Sequence, residues 1–328
     1  MKIWMICFLL IGATSFAKPI DRVVAIGPGA LRLLVYMQVH DKIVGVEKIE
    51  TKSINFSEYR SILGQKRIAS LPIIGSGGAG KLPNPEMLIR LKPDVIIASF
   101  IDKKQRQLIS QQTHIPIVAI SYGAGYGGTQ DKLDAIKQSL RKLGEVFHKE
   151  KRAKMLIDFM TQQEKELAAF HLKNQDLYIG GIGFKGAHGI TSSERHYPPF
   201  ELLGIQNTLS KNAKINHIII HEEDLIRKNP PLIFLDLFGK KILLENFNNK
   251  KTLYQSLTAY QNKKIFWLLP YNFYNTNIAN IYINSWIILS KLGFDIDVKA
   301  KMSDIYHAFY GKDYAKLLPS RYPIMEFR

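Results

Sequence analysis

The strongest constraint on this chain is a beat of short apolar runs separated by stretches of helical spacing. Arg22–Ile26, Lys42–Val46, Val95–Ala98 and Ile115–Ile120 are of strand length and almost continuously apolar, the mark of strands covered on both faces. Gly29–Gln38, Glu86–Leu91 and Gln105–Gln112 carry helical patterns between them. The same beat returns later, with strands expected at Asp176–Gly180, His217–Ile220, Pro231–Leu237 and Lys264–Leu269 and helices at Pro199–Leu203, Glu222–Lys228 and Ile278–Leu292. Strands alternating with helices build parallel βα units, with ligands held beyond the strands' carboxyl ends. The fold class is therefore α/β, with two Rossmann-like lobes of mostly parallel sheet and a ligand cleft between them.

Between the two series lies a stretch of different character. Residues 131–172 contain no proline and a single glycine, Gly144, while Leu133, Ile136, Leu140, Leu143 and Phe147 recur at helical spacing. This predicts one long helix joining an N-terminal lobe at 18–130 to a C-terminal lobe at 173–328.

The first residues predict export. Met1-Lys2, an apolar run from Ile3 to Phe16 and the small-x-small end Ser15-Phe16-Ala17 have the form of a secretory signal peptide over residues 1–17, cleaved after Ala17. The single cysteine, Cys7, falls inside that run, so the exported chain is expected to have no disulfide, thiolate metal site or thiol nucleophile. The 45 Lys and Arg against 28 Asp and Glu make the protein strongly basic. Those bases are scattered, with no basic helix interleaved with aromatics, and no nucleic-acid partner is expected.

Two glycine-rich stretches imitate nucleotide sites. Gly75-Ser-Gly-Gly-Ala-Gly-Lys81 fits G-x-x-x-x-G-K, but Leu82 stands where a metal-binding hydroxyl is needed, and Pro83 and Pro85 keep the chain extended. Asn84-Pro85-Glu86 instead reads as a helix N-cap followed by proline at the first helical position. Gly181-Ile-Gly183-Phe-Lys185-Gly186 follows a strand, yet no helix is expected before Pro199, so a dinucleotide fingerprint is not supported. It reads as a loop at a strand's carboxyl end offering Lys185, His188, His196 and Tyr197 to a ligand. Tyr122 and Tyr126, among glycines, and Tyr271 and Tyr274 follow other strands and suit a cleft for a flat or organic ligand. Arg32, Lys81 and Lys185 are the candidates to meet anionic groups, and His188, then His196, to meet a metal.

The two halves also share a phrase. Pro85-Glu86-Met-Leu-Ile-Arg-Leu-Lys-Pro-Asp-Val-Ile-Ile and Glu223-Asp-Leu-Ile-Arg-Lys-Asn-Pro-Pro-Leu-Ile-Phe each give a short helix opened by glutamate, a proline-marked turn and a buried strand. Together with Arg22-Val-Val-Ala-Ile-Gly-Pro-Gly-Ala-Leu-Arg-Leu-Leu, Ile43-Val-Gly-Val46, Ile115-Pro-Ile-Val118 and the helical stretch 131–172, the chain resembles the periplasmic solute-binding proteins of ABC importers for iron–siderophore, haem and cobalamin uptake. The resemblance implies a soluble periplasmic monomer that closes slightly on its ligand and has no catalytic cofactor. It also implies one glutamate per lobe, Glu86 and Glu223 or its neighbour Glu222, docked on an inner-membrane permease with its ATPase. The ligand is then expected to be an Fe(III) or Ni(II) chelate, first a ferric siderophore, with nickel–histidine, haem or cobalamin as alternatives. A secreted α/β enzyme is the alternative of another class, but no G-x-S-x-G elbow, thiol or flanking carboxylate pair is found.

Overall fold

The computed structural model describes residues 19–52, 58–123, 128–172, 175–209 and 214–311. The expected signal peptide and Tyr126 lie outside the described residues.

Five parallel strands form the first sheet: β1 (Val23–Ile26), β2 (Ile43–Glu47), β3 (Ile73–Gly75), β4 (Val95–Ala98) and β5 (Ile117–Ala119), in the order β3-β2-β1-β4-β5. β1 and β4 are buried at every residue, which is why they read as uninterrupted apolar runs. The order reverses between β1 and β4, and such a switch point opens a crevice at the strands' carboxyl ends. Gly27 follows β1 there with φ of 82°, and a Cβ on it would stand 1.9 Å from the carbonyl oxygen of Ser99 after β4. Only glycine fits so tight and left-handed a position.

The second half holds β6 (Leu177–Gly180), β7 (Ser192–Glu194), β8 (His217–Ile219), β9 (Leu232–Asp236) and β10 (Ile265–Leu268). β10-β9-β6 form a parallel sheet, while β7 and β8 pair antiparallel beside it. The fold is thus α/β with mostly parallel sheets. The expected helix at Asn84-Pro85 is present as Pro85–Leu91, capped by the Asn84 side chain, which accepts from the Met87 amide at 3.1 Å.

The stretch 131–172 corrects the expectation of one helix. It holds two 19-residue helices, Thr129–Phe147 and Glu150–Ala168, packed on one another. The break falls at His148, which caps the first helix in the left-handed region with φ of 53°. The second helix is the one that spans both halves. Arg152 near its start donates to the carbonyls of Tyr36 and Phe309, and Gln163 near its end accepts from the Trp286 indole. Nineteen residues make a rod of about 28 Å.

The last helix among the described residues, Val298–Tyr310, returns to the first half, where Phe309 and Tyr310 pack on Tyr36 with ring centroids 4.8 and 5.3 Å apart. This helix therefore packs on both halves, on Tyr36 in the first and on the helix Ile278–Lys291 in the second. Among the described residues no helix is long and apolar enough to cross a membrane.

Candidate functional site

A cleft of about 750 Å³ opens where the two halves meet. The first half supplies Phe100, from the turn after β4, with Tyr122 and Gly123 after β5 and Lys132 from the first turn of the helix Thr129–Phe147. The second half supplies Phe184, Glu194, the segment Ile215–Ile219, and the loop after β10 through Tyr271, Asn272, Asn275 and Thr276. These positions are carboxyl ends of strands, where the βα pattern places a ligand, with one addition. β7 and β8 are all-polar or mixed, and their antiparallel register sets Glu194 opposite His217, both on the cleft wall.

Glu194 is the most heavily engaged side chain of the wall. Its carboxylate accepts from the Tyr271 hydroxyl and from the Asn216 amide, and Lys132 Nζ lies 3.9 Å from its Oε1. Burial pushes the carboxyl up, opposed by Lys132, Tyr271 and Asn216. Tyr271 is held from behind as well, its amide donating at 3.2 Å to Asp236, whose buried carboxyl is pushed up to about 7. His217 lies flat on Phe184 at 4.3 Å and shares a hydrogen bond of 2.9 Å with Ser192. Burial, then His188, pushes its imidazole below the ordinary value, so the neutral ring is favoured.

Of the residues singled out in the sequence, Tyr122 and Tyr271 line the cleft. Tyr122 is buried and donates its hydroxyl to the Gly29 carbonyl at 2.9 Å, presenting ring rather than hydroxyl. Arg32 does not line it. Its guanidinium is buried, stacked 4.7 Å over Tyr59, and donates to the carbonyls of Asn275, Thr276 and Phe273 at 3.0, 2.9 and 2.6 Å. It secures the loop that forms the cleft floor instead of facing a ligand.

Tyr274 is also diverted from the cleft. Its hydroxyl donates to Glu47 at 2.7 Å and accepts from the Gly78 amide at 2.7 Å, tying the floor loop to the first lobe. That contact explains the imitation phosphate loop: its amides bond the protein itself, Gly78 to Tyr274 and Gly80 to the Phe100 carbonyl. Lys81 is exposed beside it and does not line the cleft. Lys185 is exposed with Nζ 5.4 Å from the Phe184 ring, and His188 bonds the Phe184 carbonyl at 2.7 Å; neither lines the cleft. His196 Nδ1 is engaged by Glu201, away from the cleft. Among the described residues no group of three or more His, Cys, Asp or Glu side chains is placed to hold a metal ion.

Lys132, Glu194, Asn216, His217, Phe100 and Phe184 were not anticipated. Lys132 carried a faint signal, lying four residues before Ile136 and so on the apolar face of its helix. Glu194 ends a Thr-Ser-Ser-Glu run that reads as loop, because nothing in such a run announces a buried strand.

Residues 23–271 match the family model described as periplasmic binding protein. The chain belongs to the periplasmic binding protein family. The molybdate-binding protein MolA of Haemophilus influenzae is 22% identical over 330 residues, covering 90% of this chain and 87% of that protein. Its molybdate-bound structure superposes with a TM-score of 0.68 at 20% identity, covering 89% of this chain and 93% of that one. Helicobacter pylori CeuE with Ni(II) bound gives a TM-score of 0.64 at 17% identity, covering 91% and 94%. The Fe3+-hydroxamate transport protein of Saccharomonospora viridis gives 0.55 at 16% identity, covering 85% and 95%. The family and these neighbours are solute-binding proteins, and what they share with this chain is the fold.

Proposed function

We propose that this periplasmic binding protein is the solute-capturing component of an ABC importer, exported to the periplasm, and that it holds an organic metal chelate, first a ferric siderophore. It performs no reaction; capture, release and delivery to a permease and its ATPase are its work. The observation that carries this reading is the apolar lip of the cleft. Phe100 at 44% exposed, Phe184 at 45%, Ile215 at 56% and Ile219 at 59% all line the cavity from both halves. Large apolar side chains are left in water where a ligand will cover them. A bare metal ion or a small oxyanion buries little of such a lip, whereas the organic shell of a chelate covers it. A volume of about 750 Å³ lies within the range of small-molecule sites.

A second reading is an oxyanion such as molybdate, supported by the donors Lys132, Asn216, Asn272 and Asn275 on the same wall and by the named ligand of the Haemophilus relative. Calorimetric titration with ferric siderophores, nickel with excess histidine, haem, cobalamin and sodium molybdate separates the two. Tight binding of an organic chelate is expected. Binding of molybdate with no response to any chelate would overturn the first reading.

A further inference from the structure

The protein as a whole carries a formal charge of +17, yet its cleft is not a positive well. Among the described residues that line it, Lys132 is the one lysine or arginine and Glu194 the one carboxylate. They come from different elements, the helix Thr129–Phe147 and β7, and both are buried, at 9% and 6% exposed. The carboxylate cannot swing away to leave the lysine to a ligand. Tyr271 and Asn216 each donate to one of its oxygens, and Tyr271 is itself packed edge-on to Tyr197 with centroids 5.3 Å apart. Burial pushes the Glu194 carboxyl up, and the Lys132 cation 3.9 Å away, with the two hydrogen-bond donors, opposes that push. At 3.9 Å the two charges cancel at any distance much beyond their own separation.

We propose that Glu194 is a specificity-determining residue: by neutralising Lys132 in place, it restricts the cleft to chelates of net charge near zero and rejects polyanionic ones. This rests on the chelate reading above and names the class of chelate. A neutral trihydroxamate complex of Fe(III) meets a wall whose field is already balanced, and its apolar backbone suits the apolar lip. A tris-catecholate complex of Fe(III), with three negative charges, finds no uncompensated cation on that wall, so the cost of stripping its water is not repaid.

The test is calorimetric titration of the full exported chain with ferrichrome, a neutral trihydroxamate, and with ferric enterobactin, a trianionic tris-catecholate. Wild type, Glu194→Gln and Lys132→Met are compared after circular dichroism confirms folding. Wild type is expected to prefer ferrichrome. Glu194→Gln should shift the ratio of the two affinities toward the tris-catecholate by on the order of tenfold or more, and Lys132→Met should shift it the other way. If Glu194→Gln does not fold, the Lys132→Met arm decides alone. A wild type that binds the trianion as tightly as the neutral complex overturns the proposal while leaving the chelate reading intact, as does a ratio that neither variant moves. Binding of neither ferric complex overturns the proposal, and failure of the wider chelate panel above is the separate outcome that removes the chelate reading itself.

Discussion

At the scale of single residues, charge at the cleft is handled by engaging it. From the sequence Arg32 was a candidate to meet anionic groups. In the structure its guanidinium donates to three backbone carbonyls of the floor loop, and it is 1% exposed. A cation donating to three neutral carbonyls is strongly stabilising, and removing it strands three buried acceptors. Arg32→Met is therefore expected to destabilise the protein by about 3 kcal/mol or more, measured by urea unfolding. Because Arg32 supports the floor without facing the ligand, any loss of affinity should be the same for neutral and anionic chelates. A loss confined to anions would restore the ligand-facing role. Lys132 is the contrast: Arg32 was singled out in the sequence, and the lysine that reaches the cleft sat unremarked on a helix.

At the scale of elements, the strands and caps of the first half were legible because their physics is local. Buried parallel strands must be apolar throughout, and Asn84-Pro85 can begin a helix but not continue one. The break at His148 was not legible, because neither proline nor glycine marks it and apolar spacing resumes on the far side. What closes this hairpin is contact rather than propensity: a Cβ on Gly144 would stand 2.9 Å from the Ala153 Cβ and 3.3 Å from the Glu150 Cα. Helix propensity alone says that alanine at 144 should help, by up to about 1 kcal/mol. Packing decides otherwise, and Gly144→Val is expected to cost about 1–3 kcal/mol through overpacking, read as a lowered thermal midpoint. An unchanged or raised midpoint would mean that the two helices part easily.

β2 ends in a second contact that spacing could not disclose. The Glu47 carboxylate accepts from the Gly27 amide, at 3.1 Å to each oxygen, and from Tyr274. Burial pushes its carboxyl up to about 7, with the Tyr274 and Gly27 hydrogen bonds opposing. The folded protein therefore holds this proton more tightly than the unfolded chain does. The stability it contributes is complete below the ordinary carboxylate range and is lost as pH rises through about 7. Asp236 acts with the same sign. Thermal midpoints measured from pH 5 to 8 should fall with rising pH, and Glu47→Gln should flatten that fall. Equal slopes in the two proteins would remove Glu47 as a contributor.

At the scale of the whole molecule, the two halves present matching short helices to the outside. Pro85–Leu91 and Glu222–Lys228 each have seven residues, each is followed by a left-handed residue, Lys92 or Asn229, and each leads into a buried strand, β4 or β9. Glu86 and Glu223 occupy the first turn of their helices and are exposed, whereas Glu222 is ion-paired with Lys250. A first-turn glutamate is favoured by the helix dipole alone, so placement by itself does not make a docking site. Matched placement on two lobes is what a two-sided partner would read, and the ion pair singles out Glu223 over Glu222. Replacing either glutamate with alanine touches no buried contact, so stability should move by no more than about 0.5 kcal/mol and ligand affinity should not move. In vesicles carrying the permease and its ATPase, Glu86→Ala and Glu223→Ala should each cut ligand uptake about tenfold or more, the loss of a charged contact at an interface. Glu222→Ala should leave uptake near normal. If the first two variants lose ligand affinity instead, or transport as wild type does, the helices are ordinary capped helices and the permease reads another surface.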